Sequence, residues 1–69
     1  MKKNSKLQAT REKAGYTQKR LAEETDLSTV AYQRYEYNKR EPGIRTAIRI
    51  ADALGVQDYQ EFKELFTPE

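Results

Sequence analysis

The sequence predicts an all-α protein, a compact bundle of five helices in one domain. No stretch of the 69 residues shows the apolar–polar alternation of period two that marks a strand. Hydroxyl or carboxylate side chains stand at N-cap spacing ahead of the helical segments. Two of these segments are short and are separated by a turn too tight for the helices to lie parallel. We expect the domain to be residues 1–69, with its core over about residues 5–66.

The first two predicted helices have clear start and stop signals. The segment from Ser5 to Gln8 fits a capping box, so the first helix should begin after Ser5. Gly15 readily adopts the left-handed conformation that ends helices, so this helix should stop before it. The second helix should begin at an N-cap, Thr17, and run to about Thr25.

The third predicted helix follows the N-cap Ser28 and should extend to about Tyr37. Asn38 is a good substitute for glycine at its left-handed exit. The connection from the second helix, residues 25–27, is very short. These two helices must therefore meet at a sharp angle.

The last two predicted helices follow Gly43 and Asp58. The fourth should stop at Gly55, and its apolar stripe at i, i+1, i+4 and i+7 consists of Ala47, Ile48, Ala51 and Leu54. The fifth begins at a capping box from Asp58 to Glu61. Its apolar side chains are the candidate dimer surface, the alternative being that they only close the core of the monomer. They are Phe62, Leu65 and Phe66.

Composition removes several classes of function. The chain contains no cysteine and no histidine, which excludes thiolate nucleophiles, imidazole bases and the usual zinc ligands. No apolar run approaches the roughly 20 residues of a membrane span. We therefore expect a soluble, cytoplasmic protein that is not an enzyme, does not enter a membrane and holds no cofactor or metal.

The charges are sorted along the chain. Residues 1–20 carry seven Lys/Arg and one Glu, whereas residues 21–69 carry six Lys/Arg and ten acids. The net charge of +2 therefore conceals a basic first part and an acidic remainder. Such asymmetry suits a polyanionic partner. The alternative is an ordinary solvated surface with a Lys-rich start, and Lys2, Lys3 and Lys6 fit either that or a weak arm on the polyanion.

Residues 17–42 have the arrangement of a DNA-reading helix-turn-helix, with two short capped helices, a tight turn and a basic exit. The chain resembles the phage repressor and Cro-like (XRE-type) family of bacterial transcriptional regulators. The resemblance runs from about residue 7 to residue 56. It rests on an ordered set of residues: Leu7, Arg11, Gly15-Tyr16-Thr17-Gln18, Leu21-Ala22, Leu27-Ser28, Arg34-Tyr35-Glu36, Asn38-Lys39-Arg40, Pro42, Ile50-Ala51 and Leu54-Gly55-Val56.

This resemblance implies a lambda-repressor-like DNA-binding domain of five helices. Four positions depart from the family pattern. The family usually has a large aliphatic residue in place of Thr10 and Thr25, a glycine in place of Asp26, and an aliphatic residue in place of Tyr32. Aspartate can adopt the left-handed conformation, although at a cost in free energy. We therefore expect the turn to keep its shape.

The third helix offers a candidate base-reading face. With Tyr32 and Tyr35 facing the core, the opposite face consists of Thr29, Val30, Gln33, Arg34 and Tyr37. This face carries no acid, and Arg and Gln side chains make bidentate contacts to guanine and adenine edges. The resemblance implies that four of these residues contact bases, namely Thr29, Val30, Gln33 and Arg34.

A second group of residues is expected to contact DNA phosphates. Lys19 and Arg20 lie in the first turn of the second helix, where the positive end of the helix dipole disfavours cations. A phosphate bound there would accept from free backbone N–H groups and be flanked by both cations. Further contacts are expected from the exit of the third helix and the start of the fourth. The full set is Gln18, Lys19, Arg20, Tyr37, Asn38, Lys39, Arg40 and Arg45.

Arg11 is expected to have a structural role. It shares a stripe with Leu7 and Ala14 and should point partly inward, where a buried Arg needs a partner. Glu36, at the end of the third helix, is the best candidate. The resemblance implies the same structural ion pair, which joins the first helix to the reading helix.

The primary interpretation is a sequence-specific transcriptional regulator, a repressor that binds a palindromic operator in double-stranded DNA as a homodimer. One alternative is an antitoxin or restriction-control regulator of the same fold, which also binds a protein partner. Another is a helical protein-interaction module that never meets DNA. The acid-free face of the third helix distinguishes the primary interpretation from this last alternative.

Overall fold

Residues 5–66 form five α-helices joined by short turns, and none of these residues lies in a strand. The computed structural model describes this range apart from the side chain of Ser5. The capping role predicted for that side chain, and any arm formed by Lys2 and Lys3, therefore lie outside the described residues. The helices are α1 (Ser5–Lys13), α2 (Gln18–Glu24), α3 (Thr29–Glu36), α4 (Ile44–Ala53) and α5 (Tyr59–Phe66). The predicted all-α fold class is confirmed, and within residues 5–66 no helix is long and apolar enough to cross a bilayer.

Side-chain caps open three of these helices. Thr17 Oγ1 accepts a hydrogen bond from Arg20 N at 3.0 Å, at the start of α2. Ser28 Oγ accepts from Ala31 N at 3.1 Å, at the start of α3. Asp58 Oδ2 accepts from the backbone N of the third residue of α5 at 2.9 Å. Each cap satisfies a backbone N–H that has no partner within its helix, so the predicted starts of α2, α3 and α5 are confirmed.

Left-handed residues end the first four helices in one shared pattern. These residues are Gly15 (φ 84°), Asp26 (φ 64°), Asn38 (φ 57°) and Gly55 (φ 76°). After each helix, the amide of the left-handed residue and the amide that follows it donate to carbonyls of the last turn, which is the Schellman arrangement. The turns are therefore closed by hydrogen bonds local to each helix end.

The core takes at least one side chain from each of the five helices. α2 packs on α3 and α4, and α1 packs on α3 and α5. The buried members of the core are Leu7, Leu21, Ala22, Tyr32, Ile50, Ala51, Val56 and Leu65. Because α3 contributes Tyr32 to this core, its opposite side faces solvent.

The buried face of α4 differs from the predicted stripe. Ile48 is 46% exposed, whereas Ile50 is completely buried. Ile50 lies three residues after Ala47 and four before Leu54, so it completes a stripe at true helical spacing. The prediction that Ile48 shares the buried face is therefore wrong, and α4 has apolar side chains on two faces.

The predicted dimer surface on α5 also needs correction. Leu65 is completely buried in the core, because α5 packs against α1 with this side chain inward. Phe62 and Phe66 are partly buried against the same core, with their rings edge-to-face at 5.5 Å between centroids. Leu65 is thus unavailable to a second copy. Ala14, predicted to share the stripe of Leu7, is exposed because α1 ends one residue before it.

Candidate nucleic-acid interface

The turn between α2 and α3 is held by local hydrogen bonds. Leu27 N donates to Ala22 O at 2.8 Å, and Asp26 N donates to Glu23 O at 3.3 Å. Asp26 has a φ of 64°, a conformation for which glycine is best suited. The Ser28 cap follows two residues later. Sequence-local interactions therefore hold α3 in place directly after α2.

The outward face of α3 contains the side chains expected there. Val30 is 58% exposed and Arg34 is exposed, whereas Thr29, Gln33 and Tyr37 are half-buried. The acid of this helix is Glu36, and its side chain is completely buried. The exposed surface of α3 therefore offers a guanidinium and a carboxamide but no carboxylate.

The first turn of α2 lies beside this face of α3. Gln18 Oε1 accepts a hydrogen bond from Gln33 Nε2 at 3.1 Å, which joins the two helices. Lys19 and Arg20 are exposed next to Gln18, and Arg20 Nη2 lies 3.5 Å from Glu24 Oε1. An exposed ion pair of this kind contributes little free energy, so Arg20 remains available to another anion.

More cations follow the end of α3. Tyr37 is the C-cap of α3, and Asn38 turns the chain away with its positive φ. Lys39 and Arg40 come next and are exposed, as is Arg45 in the first turn of α4. Cationic side chains thus occur on the surface both before and after the acid-free face.

A buried ion pair holds the end of α3 against α1. Arg11 Nε donates to Glu36 Oε2 at 3.0 Å, and Arg11 Nη2 donates to Glu36 Oε1 at 3.1 Å. The third guanidinium nitrogen, Nη1, donates to Tyr16 O at 2.7 Å. Burial alone would lower the pKa of Arg11, but the hydrogen bonds and negative charge of Glu36 raise it above its ordinary value. The structure therefore contains the structural pair expected from the sequence.

Comparison with known proteins identifies the family. The family model described as helix-turn-helix matches residues 7–58. The chain belongs to the helix-turn-helix family. The resemblance inferred from the sequence is confirmed by this match.

One relative of this helix-turn-helix chain is the "SPbeta prophage-derived uncharacterized HTH-type transcriptional regulator YonR" of Bacillus subtilis (strain 168). The two are 33% identical over 51 residues, which is 74% of this chain. The matched region spans 47% of the relative, so the chain covers about half of that protein's length. No solved structure matches the chain.

Within the helix-turn-helix, Gln18 connects the buried ion pair to Gln33 on the outward face of α3. Gln18 Nε2 donates to Glu36 Oε1 at 3.3 Å, while Gln18 Oε1 accepts from Gln33 Nε2. Sequence reasoning assigned Gln18 to phosphate contact alone and missed this connection. Gln18 is 15 positions from Gln33 and 18 positions from Glu36 in the sequence, so only tertiary packing brings them together.

The Tyr32 hydroxyl lies in the same buried region of the helix-turn-helix protein. It makes no hydrogen bond of acceptable geometry within residues 5–66. Burial raises the pKa of this hydroxyl, and the neighbouring Glu36 carboxylate raises it further. The sequence pattern predicts Tyr32 as a core residue but gives no sign that its hydroxyl reaches the Arg11–Glu36 pair.

Proposed function

We propose that this helix-turn-helix protein is a sequence-specific regulator of transcription, a repressor that reads the DNA major groove with α3. The observation that carries the proposal is the exposed face of α3, which has no carboxylate and is accompanied by cations on neighbouring segments. A polyanion is attracted to such a surface, whereas an exposed acid would repel it. The relative in Bacillus subtilis supports this proposal, because it is named as a transcriptional regulator.

Base reading is assigned to four side chains of α3, namely Thr29, Val30, Gln33 and Arg34. Arg34 is exposed and carries the fork of donors that matches the O6 and N7 atoms of guanine. Gln33 uses one N–H toward Gln18, which leaves its Oε1 and its second N–H for an adenine edge. Thr29 and Val30 offer methyl groups to thymine.

Phosphate contacts are assigned to residues on either side of α3 in the sequence. Lys19 and Arg20 lie in the first turn of α2, where free backbone N–H groups also attract an anion. The remaining members of the set are Gln18, Tyr37, Asn38, Lys39, Arg40 and Arg45. These contacts position the protein on the duplex without specifying its sequence.

A homodimer on a palindromic operator completes the proposal. One domain of this size presents a single short reading helix, which supplies few base contacts. Two copies on half-sites one helical turn apart combine their contacts on one face of the duplex.

The experiment compares Arg34→Ala with Lys19→Ala in fluorescence-anisotropy titrations against a selected operator and a scrambled duplex. Arg34→Ala should cost about 1–3 kcal/mol on the operator and relax selectivity at one base pair, with nonspecific binding little changed. Lys19→Ala should weaken binding to both duplexes alike. It should also reduce the slope of log K against log salt by about 0.9 per lost phosphate contact, doubled in a symmetric dimer.

Lys13→Ala is the matched control, because Lys13 is an exposed cation at the end of α1 with no assigned contact. This variant should leave the affinities for the operator and for the scrambled duplex unchanged, apart from a small loss of long-range electrostatic attraction. If Arg34→Ala lowers affinity equally for the two duplexes, α3 does not read bases through that residue. If no variant changes binding to either duplex, the proposed interface is wrong.

A further inference from the structure

The Tyr32 hydroxyl is a buried polar group with no hydrogen bond of acceptable geometry within residues 5–66. The whole side chain is inaccessible to solvent. Burying a hydroxyl without a partner costs free energy, and a phenylalanine of nearly the same shape would avoid that cost. The hydroxyl is therefore best explained by a second state of the protein, in which it has a partner.

The Glu36 carboxylate is the acceptor beside this hydroxyl. Burial raises the pKa of the Tyr32 hydroxyl, and the adjacent carboxylate raises it further. Within residues 5–66, three N–H groups donate to Glu36, two from Arg11 and one from Gln18. The two oxygens of a carboxylate have room for about four donors. Tyr32 is thus an unused donor next to an acceptor that depends on three others.

The three bonds to Glu36 are not equally secure. Arg11 Nε and Nη2 donate at 3.0 and 3.1 Å from a charged and buried side chain. Gln18 Nε2 donates at 3.3 Å from a neutral and half-buried side chain in the first turn of α2. Hydrogen bonds from a charged donor are stronger than those from a neutral carboxamide. Gln18 is therefore the donor that an anion outside the protein can draw away.

We propose that Tyr32 is a positioning residue for DNA binding, which donates to Glu36 when Gln18 turns its N–H toward a phosphate. The inference rests on the proposed function, in which Gln18 contacts a phosphate. Glu36 and the phosphate are both anions, so they compete for the same carboxamide N–H. The Tyr32 hydroxyl replaces the donor that leaves the buried carboxylate. It thereby reduces the free-energy cost of the phosphate contact.

The first test needs no DNA, because Gln18→Ala removes the same donor permanently. Tyr32→Phe should leave the urea midpoint of the parent unchanged or raise it, since the hydroxyl has no partner there. In the Gln18→Ala background the hydroxyl donates to Glu36. Adding Tyr32→Phe to that background should therefore raise the unfolding equilibrium constant about tenfold, as expected for a hydrogen bond to a charged group. Tyr59→Phe is the matched control, because Tyr59 is 72% exposed on α5, and it should have no effect in either background.

The second test measures binding of the same variants to the selected operator and to the scrambled duplex. Tyr32→Phe should weaken binding to both duplexes about tenfold for each bound copy, because phosphates are present in either sequence. In the Gln18→Ala background, adding Tyr32→Phe should leave both affinities unchanged, because no carboxamide leaves Glu36. The NMR signal of the Tyr32 hydroxyl proton should also move downfield on binding, as the hydroxyl gains a charged acceptor. A tyrosine that only fills the core would show neither effect.

Three results would overturn the proposal in a chain that binds DNA. If Tyr32→Phe binds DNA like the parent, Gln18 stays on Glu36 and serves the phosphate with its second N–H. If Tyr32→Phe weakens binding equally in both backgrounds, Tyr32 acts through the packing of α3. If Tyr32→Phe leaves the stability of Gln18→Ala unchanged, the hydroxyl does not replace the carboxamide. A parent chain that binds neither duplex instead refutes the proposed function, and the role of Tyr32 in binding with it, whatever the first test shows.

Discussion

At the scale of single residues, the Arg11–Glu36 pair has the largest consequences. Both side chains are buried, and the carboxylate accepts from Arg11 and also from Gln18. A buried charge without its partner is costly because it has lost its water. The main effect of this ion pair on stability is therefore that both residues must be present together.

Glu36→Ala should lower the free energy of unfolding by about 3–5 kcal/mol, because the buried Arg11 guanidinium loses its bidentate partner and keeps an exposed carboxylate, Glu12 Oε2, 3.8 Å from Nη2. The double variant Arg11→Met/Glu36→Leu should recover much of this loss, since it removes both charges. Urea denaturation followed by circular dichroism measures both. A Glu36→Ala midpoint equal to that of the parent would mean that the pair does not contribute as its burial indicates.

Tyr32→Phe should leave stability near neutral pH unchanged or raise it by about 1 kcal/mol, because the buried hydroxyl has no hydrogen-bond partner of acceptable geometry among residues 5–66. The pH dependence is a second expectation. The pKa of Tyr32 is raised in the folded state from its ordinary 10.0, so the unfolded chain loses this proton first as pH rises. The parent should therefore lose stability above about pH 10, and Tyr32→Phe should lose less. Thermal midpoints of both proteins are measured from neutral to alkaline pH. If the midpoint falls equally steeply with alkaline pH in the two proteins, the expectation is contradicted.

At the scale of secondary-structure elements, sequence prediction succeeds where the determining atoms are close together in the chain. The caps at Thr17, Ser28 and Asp58 and the left-handed exits depend on residues within one helical turn, and their types are visible in the sequence. In α4 the predicted stripe included Ile48, which is exposed, and omitted Ile50, which is buried, because the sequence offers two adjacent apolar faces and packing against α2 selects one of them. The Gln18–Gln33 contact is missed for the same reason, because it joins two helices.

Asp26→Gly should raise the free energy of unfolding by about 0.5–1 kcal/mol, because it relieves the cost of a left-handed side-chain residue in the α2–α3 turn. Part of the gain is offset by the greater freedom of glycine in the unfolded chain. Gly15→Ala is the converse change. Its Cβ would meet nothing within 4 Å, so a loss of stability there reports on the φ of 84°, reduced by the smaller freedom of alanine in the unfolded chain. Chemical denaturation measures both, and a less stable Asp26→Gly would show that the aspartate side chain has a stabilising role.

At the scale of the whole molecule, α5 closes a core that the helix-turn-helix unit cannot complete alone. Leu65 is completely buried although its helix is the last in the described range. A chain of this length has little buried surface to spare. The burial of Leu65 from α5 therefore contributes a substantial part of the free energy of unfolding.

Leu65→Ala should lower the free energy of unfolding by about 2–5 kcal/mol through the cavity it leaves in the core. Tyr59→Ala, on the same helix but 72% exposed, should change stability by less than about 0.5 kcal/mol. Thermal unfolding of the two variants at a concentration where the parent is monomeric separates core packing from assembly. Equal effects of the two substitutions would show that α5 is not packed as described.

The ion pair between α1 and α3 also bears on how α3 opens in the folded protein. If α3 detaches locally, Glu36 leaves and the buried Arg11 loses its closest carboxylate, which leaves the exposed Glu12 carboxylate at 3.8 Å. Separation therefore has a high free energy unless the end of α1 is released in the same event. Backbone amides in α3 and in the last turn of α1 should then exchange with deuterated solvent through one shared opening, at equal protection. The surface proposed to bind DNA is in this way kept in its folded form by two residues to which no DNA contact is assigned.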